Sequence, residues 1–389
     1  MSSWGILSPQ LIIFGEGQRW VRRLLAHRRK PIASWKLAQH WPSFYPEFVE
    51  VFTESRAPSA TPDRALARVT LGVQTHLEEV EARIAQQAAE FDPAIEGYVT
   101  YAIGSRGKRL RPLVALLSGG ASGGITSAHV DLAVIVELIH IATLVHDDIM
   151  DEAERRRAQP TVNARWGNSL SVLLGDCLFS QALNLSTNFD NTDVCRTIAR
   201  AAREVCSGEI IQTQRRFDLH LGIEDYLRII EMKTGALFAA AGELGAVLNG
   251  ADPETTRALK DFGRKIGAAY QIYDDCLDIA GNETEIGKTL GTDLRHGKLT
   301  LPVLVLLNSA PAAEREQYCE LILKEKSSAI THLLKMDSPN GALKTSVDAG
   351  EDLIREAQRE LETLPPNQYT DSLFQFGDAL RELLDQFRA

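Results

Sequence analysis

Apolar residues recur at three- and four-residue spacing over 66–90, 131–151, 169–187, 196–216, 224–248, 255–280 and 343–363, while period-two alternation is scarce. That pattern predicts helix after helix and an all-α fold. Breaks are expected at "SGGASGG" (118–124), "NGADPET" (249–255), "DSPNG" (337–341) and "LPPNQ" (364–368), where Gly, Pro and Asn cluster. The stretch "DLAVIVELIHIATLVHDD" (131–148) is apolar almost all round, so its helix should be central and packed on every side. No uninterrupted apolar run approaches the roughly 18 residues of a spanning helix, and "LIIF" (11–14) is too short for a secretory core.

Composition narrows the picture. A 389-residue chain that is 44% hydrophobic can bury a sizeable core. Its net charge of -10 gives no footprint for nucleic acid and favours acidic clusters that hold cations. Five cysteines without a C-x-x-C spacing argue against a disulfide framework and a structural zinc site, which fits a reducing, cytoplasmic setting. The first forty residues stand apart, with seven Lys or Arg against one acid, Glu16, and four of the five tryptophans fall within the first 41 positions. We read residues 1–65 as an N-terminal extension, either poorly ordered or begun at a mis-assigned start, and residues 66–389 as the folded domain, joined through "APSATPDRA" (57–65). Alternative readings of the extension are a peripheral membrane contact, where indoles and cations both find partners, and an Arg-rich organelle-targeting peptide.

Candidate chemistry sits at the end of the apolar helix. Asp147 and Asp151 are four apart, so their carboxylates share a helix face, with Asp148 to the side. Like charges at that spacing destabilise a helix unless a cation offsets them, and Mg²⁺ takes oxygen ligands from one or two carboxylates and from substrate phosphates. The pattern returns at Asp274, Asp275 and Asp278 in "QIYDDCLDIAG". Two copies by chance are rarer than about one in a hundred chains, so two acidic helix ends holding Mg²⁺ for a diphosphate become the working expectation. Basic groups accompany them: Lys108 and Arg111 at a helix start, Arg156 and Arg157 after the first motif, and Lys288 and Lys298 in "GKTLGTDLRHGKLTLP". Arg suits bidentate grip of phosphate and Lys supplies point charge. His140, seven before Asp147, can share its face; His146 reads as structural and Asp176 as a helix-terminus or packing carboxylate.

These residues resemble the trans-polyprenyl diphosphate synthases over roughly 66–389, through "GKRLRP", "HDDIMDEAERRR", "GD" at 175–176, "KTGALF", "YQIYDDCLD" and "GKTLGTDLRHGKLTLP". The resemblance implies an isoprenoid synthase fold, with helices around a central apolar cavity, and a Mg²⁺-dependent homodimer that joins isopentenyl diphosphate to an allylic diphosphate. By position, Asp147, Asp151 and Asp274, supported by Asp278, match the metal ligands. Arg156, Lys233, Thr234, Gln271, Lys288 and Lys298 match the allylic-diphosphate contacts, and Lys108, Arg111, His140 and Arg157 match the isopentenyl-diphosphate site. Asp147, Asp148, Asp151, Lys233 and Asp274 form the expected catalytic set. "GSRGKR" departs from a more usual Gly-Gly-Lys and leaves Lys108 in place.

Product length should depend on the wall behind the first motif. Ala142 and Thr143 lie about one turn, and Ile139 two turns, back from Asp147, or about 5 and 11 Å deeper. None is aromatic. Among members of the family, large aromatics at this level stop short chains, so a heptaprenyl to decaprenyl product, of the kind used for quinone side chains, is expected here. A farnesyl or geranylgeranyl product is the alternative. A terpene cyclase is disfavoured by the intact second motif, and a regulatory subunit of a heteromeric synthase by both motifs being intact.

Overall fold

The apolar stretch around residue 140 forms a 24-residue helix, Ser127–Met150, whose inward positions from Val130 to Val145 are almost fully enclosed. By length and composition it could cross a membrane, but most of it is buried inside the protein, as expected of a central core helix. The computed structural model describes residues 62–104, 107–157, 159–281, 290–324, 327–335 and 341–388. The chain divides into two units at Ala57 and Pro58, and the N-terminal extension up to residue 61 lies outside the described residues.

The principal helices are α1 (Gln74–Gln86), α2 (Leu110–Ser122), α3 (Ser127–Met150), α4 (Asn168–Ser186), α5 (Thr192–Gln214), α6 (Ile223–Ile230), α7 (Ala236–Val247), α8 (Pro253–Ala280), α9 (Leu301–Ser309), α10 (Ala342–Leu361) and α11 (Gln368–Asp385). Among the described residues, strand is confined to an antiparallel pair, Arg155–Arg156 with Gln159–Pro160. Start signals are chemical. Asp252 accepts from the backbone of Glu254 and Thr255 ahead of Pro253 at the first turn of α8, and Asn367 accepts from Tyr369 and Thr370 at α11.

The break expected at 118–124 begins later, because α2 runs through Gly119 and Gly120 to Ser122. Packing explains the glycines: an added Cβ would lie 2.2 Å from the His129 ring at Gly119 and 2.3 Å from the Tyr369 ring at Gly120. The α7–α8 crossing is tighter still, backbone against backbone. A Cβ at Gly242 would sit 2.2 Å from the Leu259 carbonyl oxygen, and one at Gly263 would sit 2.3 Å from that of Phe238. This crossing brings the segment before α7 beside the acidic end of α8.

Between α6 and α7 the chain makes a π turn at Glu231–Gly235, which carries Lys233 and Thr234. Such turns are rare and insert one residue into a helix, re-aiming side chains at functional positions. Gly208 of α5 lies against it, with room for a Cβ only 2.7 Å from the Lys233 backbone nitrogen.

Candidate active site

Both acidic motifs fall at helix C-termini, where backbone carbonyls already carry negative partial charge. The six carboxylates are used differently. Asp148, buried, accepts from Arg156 at 2.7 and 2.9 Å; burial raises its carboxyl and Arg156 offsets part of that rise. Asp151 accepts from Lys298 at 2.6 Å and from Arg216 at 3.1 Å. Burial alone would raise Asp151, but Lys298 outweighs it and the net shift is downward. Asp275 accepts from Tyr226 at 2.5 Å and Gln271 at 2.9 Å; burial and the nearby Asp293 push it up to about 8. Asp278 turns to the backbone of Thr292 and Asp293 and to the Thr292 hydroxyl, so it anchors the segment leading to Lys298 rather than presenting open oxygens.

Asp147 and Asp274 remain. Among the described residues neither carboxylate accepts a hydrogen bond. Burial pushes Asp147 up to about 6 against the opposing pull of Lys233. Arg156 feels both: burial lowers its pKa, and Asp148, Asp147 and Asp274 together outweigh that, which puts the motifs in one electrostatic neighbourhood. Hard oxygen donors that accept no hydrogen bond from the described residues, one from each helix, suit Mg²⁺. Among the described residues no three His, Cys, Asp or Glu side chains group closely enough to hold an ion, so phosphate oxygens and water would have to complete its coordination.

Lys233 sits between motif and support. It pairs with Glu209 at 2.5 Å and donates to Gln212 at 2.8 Å, and although burial lowers its pKa, Asp147 and Glu209 raise it overall. The ammonium therefore stays charged. Thr234 donates to Gln271 at 2.7 Å, and Gln271 passes the chain on to Asp275.

A second basic cluster forms at the start of α2. Lys108 precedes the helix rather than opening it, because Arg109 adopts a left-handed conformation with φ +50°. Arg109 is buried and clamped by Glu81 of α1 at 2.5 Å and Glu137 of α3 at 2.6 Å. Lys108 lies 5.4 Å from the Tyr273 ring centroid and 5.9 Å from that of Tyr270, and Arg111 lies 4.7 Å from that of Phe238. Arg157, also left-handed, packs its guanidinium on Gly107, where a Cβ would stand only 2.9 Å from Nη2. The arginines after the first motif are thus on a hairpin, not on the helix. His140 lies amid this cluster; burial first, then Arg111, Arg156, Arg157 and Arg109, hold its pKa well below the usual value, so the imidazole is neutral. Lys108, Arg111 and Arg157 gather around Tyr270, with His140 beside Arg111 and Arg157.

The comparisons with known proteins bear directly on this arrangement. Residues 92–336 match the family model described as polyprenyl synthetase. Octaprenyl diphosphate synthase of Escherichia coli (strain K12) is 34% identical over 298 residues, covering 76% of this chain and 91% of that protein. The chain belongs to the polyprenyl synthetase family. Its fold is the family's isoprenoid synthase fold. A decaprenyl diphosphate synthase from Rhodobacter capsulatus superposes with a TM-score of 0.75 at 34% identity, covering 83% of this chain and 100% of that one. A polyprenyl synthase from Caulobacter crescentus CB15, complexed with calcium and isoprenyl diphosphate, gives a TM-score of 0.75 at 33% identity, covering 84% and 99%. As a polyprenyl synthetase, the chain is a prenyltransferase enzyme.

Lys288 lies outside the described residues. Other expected positions come out differently. Ile139 and Ala142 have no exposure at all and lie off the face of Asp147, whereas Thr143 is half-buried on the stripe with His140 and Asp147. Asp176 stands mid-helix in α4 and exposed, 3.6 Å from His146, rather than at a terminus. His146 is structural: its ring fills the space over Gly175 and bonds the Val172 carbonyl at 3.1 Å. Sequence reasoning missed Glu209, Gln212, Arg216 and Tyr226. Glu209 and Gln212 stand three apart on one face of α5, which was the available signal; Tyr226 and Arg216 carried none.

Proposed function

We propose that the chain is a Mg²⁺-dependent synthase that adds isopentenyl diphosphate to an allylic diphosphate and releases a long all-trans polyprenyl diphosphate, in the heptaprenyl to decaprenyl range, for quinone side chains. The observation that carries this reading is a pair of basic groups, Lys108, Arg111 and Arg157 around the neutral His140 and Lys233 and Lys298 around Asp147, with Arg156 between them acting on His140, Asp147 and Asp274. One diphosphate needs one cluster; two clusters fit two diphosphates.

Asp147, Asp151 and Asp274 would hold Mg²⁺, which supplies a Lewis acid and a template for the allylic diphosphate. Lys233, kept charged by Asp147 and Glu209, and Arg156 stabilise negative charge on the leaving oxygen as the allylic C–O bond breaks and its electron pair leaves with diphosphate. Arg111, Arg157 and Lys108 hold the second diphosphate, so that its alkene supplies the electron pair for the new C–C bond. The carbocation must be kept from water until the alkene attacks it. The neutral His140 is held too weak a base for the task, so the proton lost from carbon passes to the departing diphosphate. The long product is supported by the absence of an aromatic side chain at Thr143, the chain-length position on the face of Asp147, and by the octaprenyl and decaprenyl relatives.

The test is incubation of purified protein with Mg²⁺, labelled isopentenyl diphosphate and farnesyl diphosphate, with products resolved by chain length. A ladder ending at seven to ten isoprene units is expected, abolished by chelator. A product stopping at geranylgeranyl would overturn the length, and no incorporation with any allylic primer would overturn the reaction. A homodimer in the cytoplasm, with or without peripheral membrane contact, belongs to the same proposal and is read by sedimentation and liposome flotation.

A further inference from the structure

We propose that Arg216 and Phe217 form a latch that positions Asp151, and through it the allylic-diphosphate end of the site; this rests on the two-diphosphate reading above. Asp151 stands past the last turn of α3, as its C-cap residue, so its carboxylate is aimed by its partners. Those partners divide it: Lys298 Nζ donates to Oδ2 at 2.6 Å and Arg216 Nη2 to Oδ1 at 3.1 Å. The same Arg216 nitrogen reaches the Met150 carbonyl at 3.4 Å.

The segments that carry the two cations are fastened to each other. The Phe217 N–H donates to the Gly297 carbonyl at 2.8 Å. Phe217 holds a left-handed conformation, φ +58°, and Gly297 one of +75°, and the Phe217 ring lies so close that a Cβ on Gly297 would be 2.4 Å from Cδ2. An aromatic residue at positive φ is strained, and such strain persists where the surroundings over-determine it. Arg216 is itself held by packing, with Nε enclosed and donating to nothing among the described residues. The spacing between Arg216 and Lys298 is thereby fixed by backbone. When the Lys298 ammonium turns to a phosphate oxygen, Arg216 stays on Asp151, which keeps that carboxylate compensated and aimed. A guanidinium suits this role, being permanently charged and planar.

The experiment compares wild type with Arg216→Met, Arg216→Lys and Phe217→Ala. Steady-state KM is measured for each diphosphate, and calorimetry measures binding of a non-ionising allylic thiodiphosphate with Mg²⁺. Arg216→Met should weaken analogue affinity and raise the allylic KM about ten-fold, the loss of one charge-assisted hydrogen bond, with the isopentenyl KM unchanged. Arg216→Lys should recover most of the loss, and Phe217→Ala should show the same one-sided pattern at intermediate size. Equal changes in both KM values, or variants that bind as wild type does, would overturn the latch. Should Arg216→Met fail to fold, Phe217→Ala decides by the same comparison. A wild type that binds no analogue with Mg²⁺ overturns the underlying two-diphosphate reading and the latch together.

Discussion

Of the six motif aspartates, Asp147 and Asp274 are the ones whose charge no described hydrogen bond answers, and each sits at the negative end of a helix dipole. Removing either should separate function from stability. Asp147→Ala and Asp274→Ala are expected to cut kcat/KM by about 10³-fold or more while the metal-free protein melts at the same temperature or a few degrees higher; steady-state assay and calorimetry read the two. His140 gives a pH prediction. Because burial and four arginines depress its native pKa, the unfolded chain takes up a proton below about pH 6.5 that the native protein refuses. Stability therefore falls as pH drops through that window, by at most about 1.4 kcal/mol per pH unit. His140→Gln should flatten the slope of the urea midpoint between pH 6.5 and 5.5. The identity of these residues was legible in the sequence because each motif repeats a spacing. What separated Asp147 from Asp148 was not, since it depends on which neighbour reaches which oxygen.

At the level of elements, the α7–α8 crossing sets the distance between the π turn with Lys233 and Thr234 and the acidic end of α8. Its spacing is fixed by Gly242 and Gly263, with no slack. Gly263→Ala should cost about 1–3 kcal/mol through overpacking, seen as a lower thermal midpoint, together with reduced turnover of the fraction that remains folded. The helices of this crossing were visible from apolar period alone, as were α3, α4, α5 and α10. The pieces between helices were not. Arg109 and Arg157 take left-handed conformations without a glycine or asparagine to announce them, so the strap at Lys108 reads as a helix start and the hairpin at Arg156 is not announced. The chain-length positions show the same limit: of Ile139, Ala142 and Thr143 only Thr143 shares the face of Asp147, and Thr143→Phe is expected to shift the product ladder to shorter chains by chromatography.

For the whole molecule, the family match ends at residue 336, but the core does not. Tyr369 of α11 fills the space over Gly120 at the far end of α2, the helix that carries Arg111 at its start, and Asn367 donates to the Ala121 carbonyl at 3.1 Å. Helix α10 packs along α8, and its Gly350 lies against Ile272 and Leu384. A chain stopped after Leu361 would expose the buried faces of Phe376, Leu380 and Leu384's partners, and should be recovered as aggregate in a solubility assay. Helices laid down first in the chain thus wait for the last one to close over them. On the ribosome, α2 and α8 would have left the exit tunnel long before the segment that completes their packing is synthesised, so the nascent chain carries its two aspartate motifs for many seconds without a finished interior. A stop codon that removes α11 would therefore leave α2 and α8 without their closing layer.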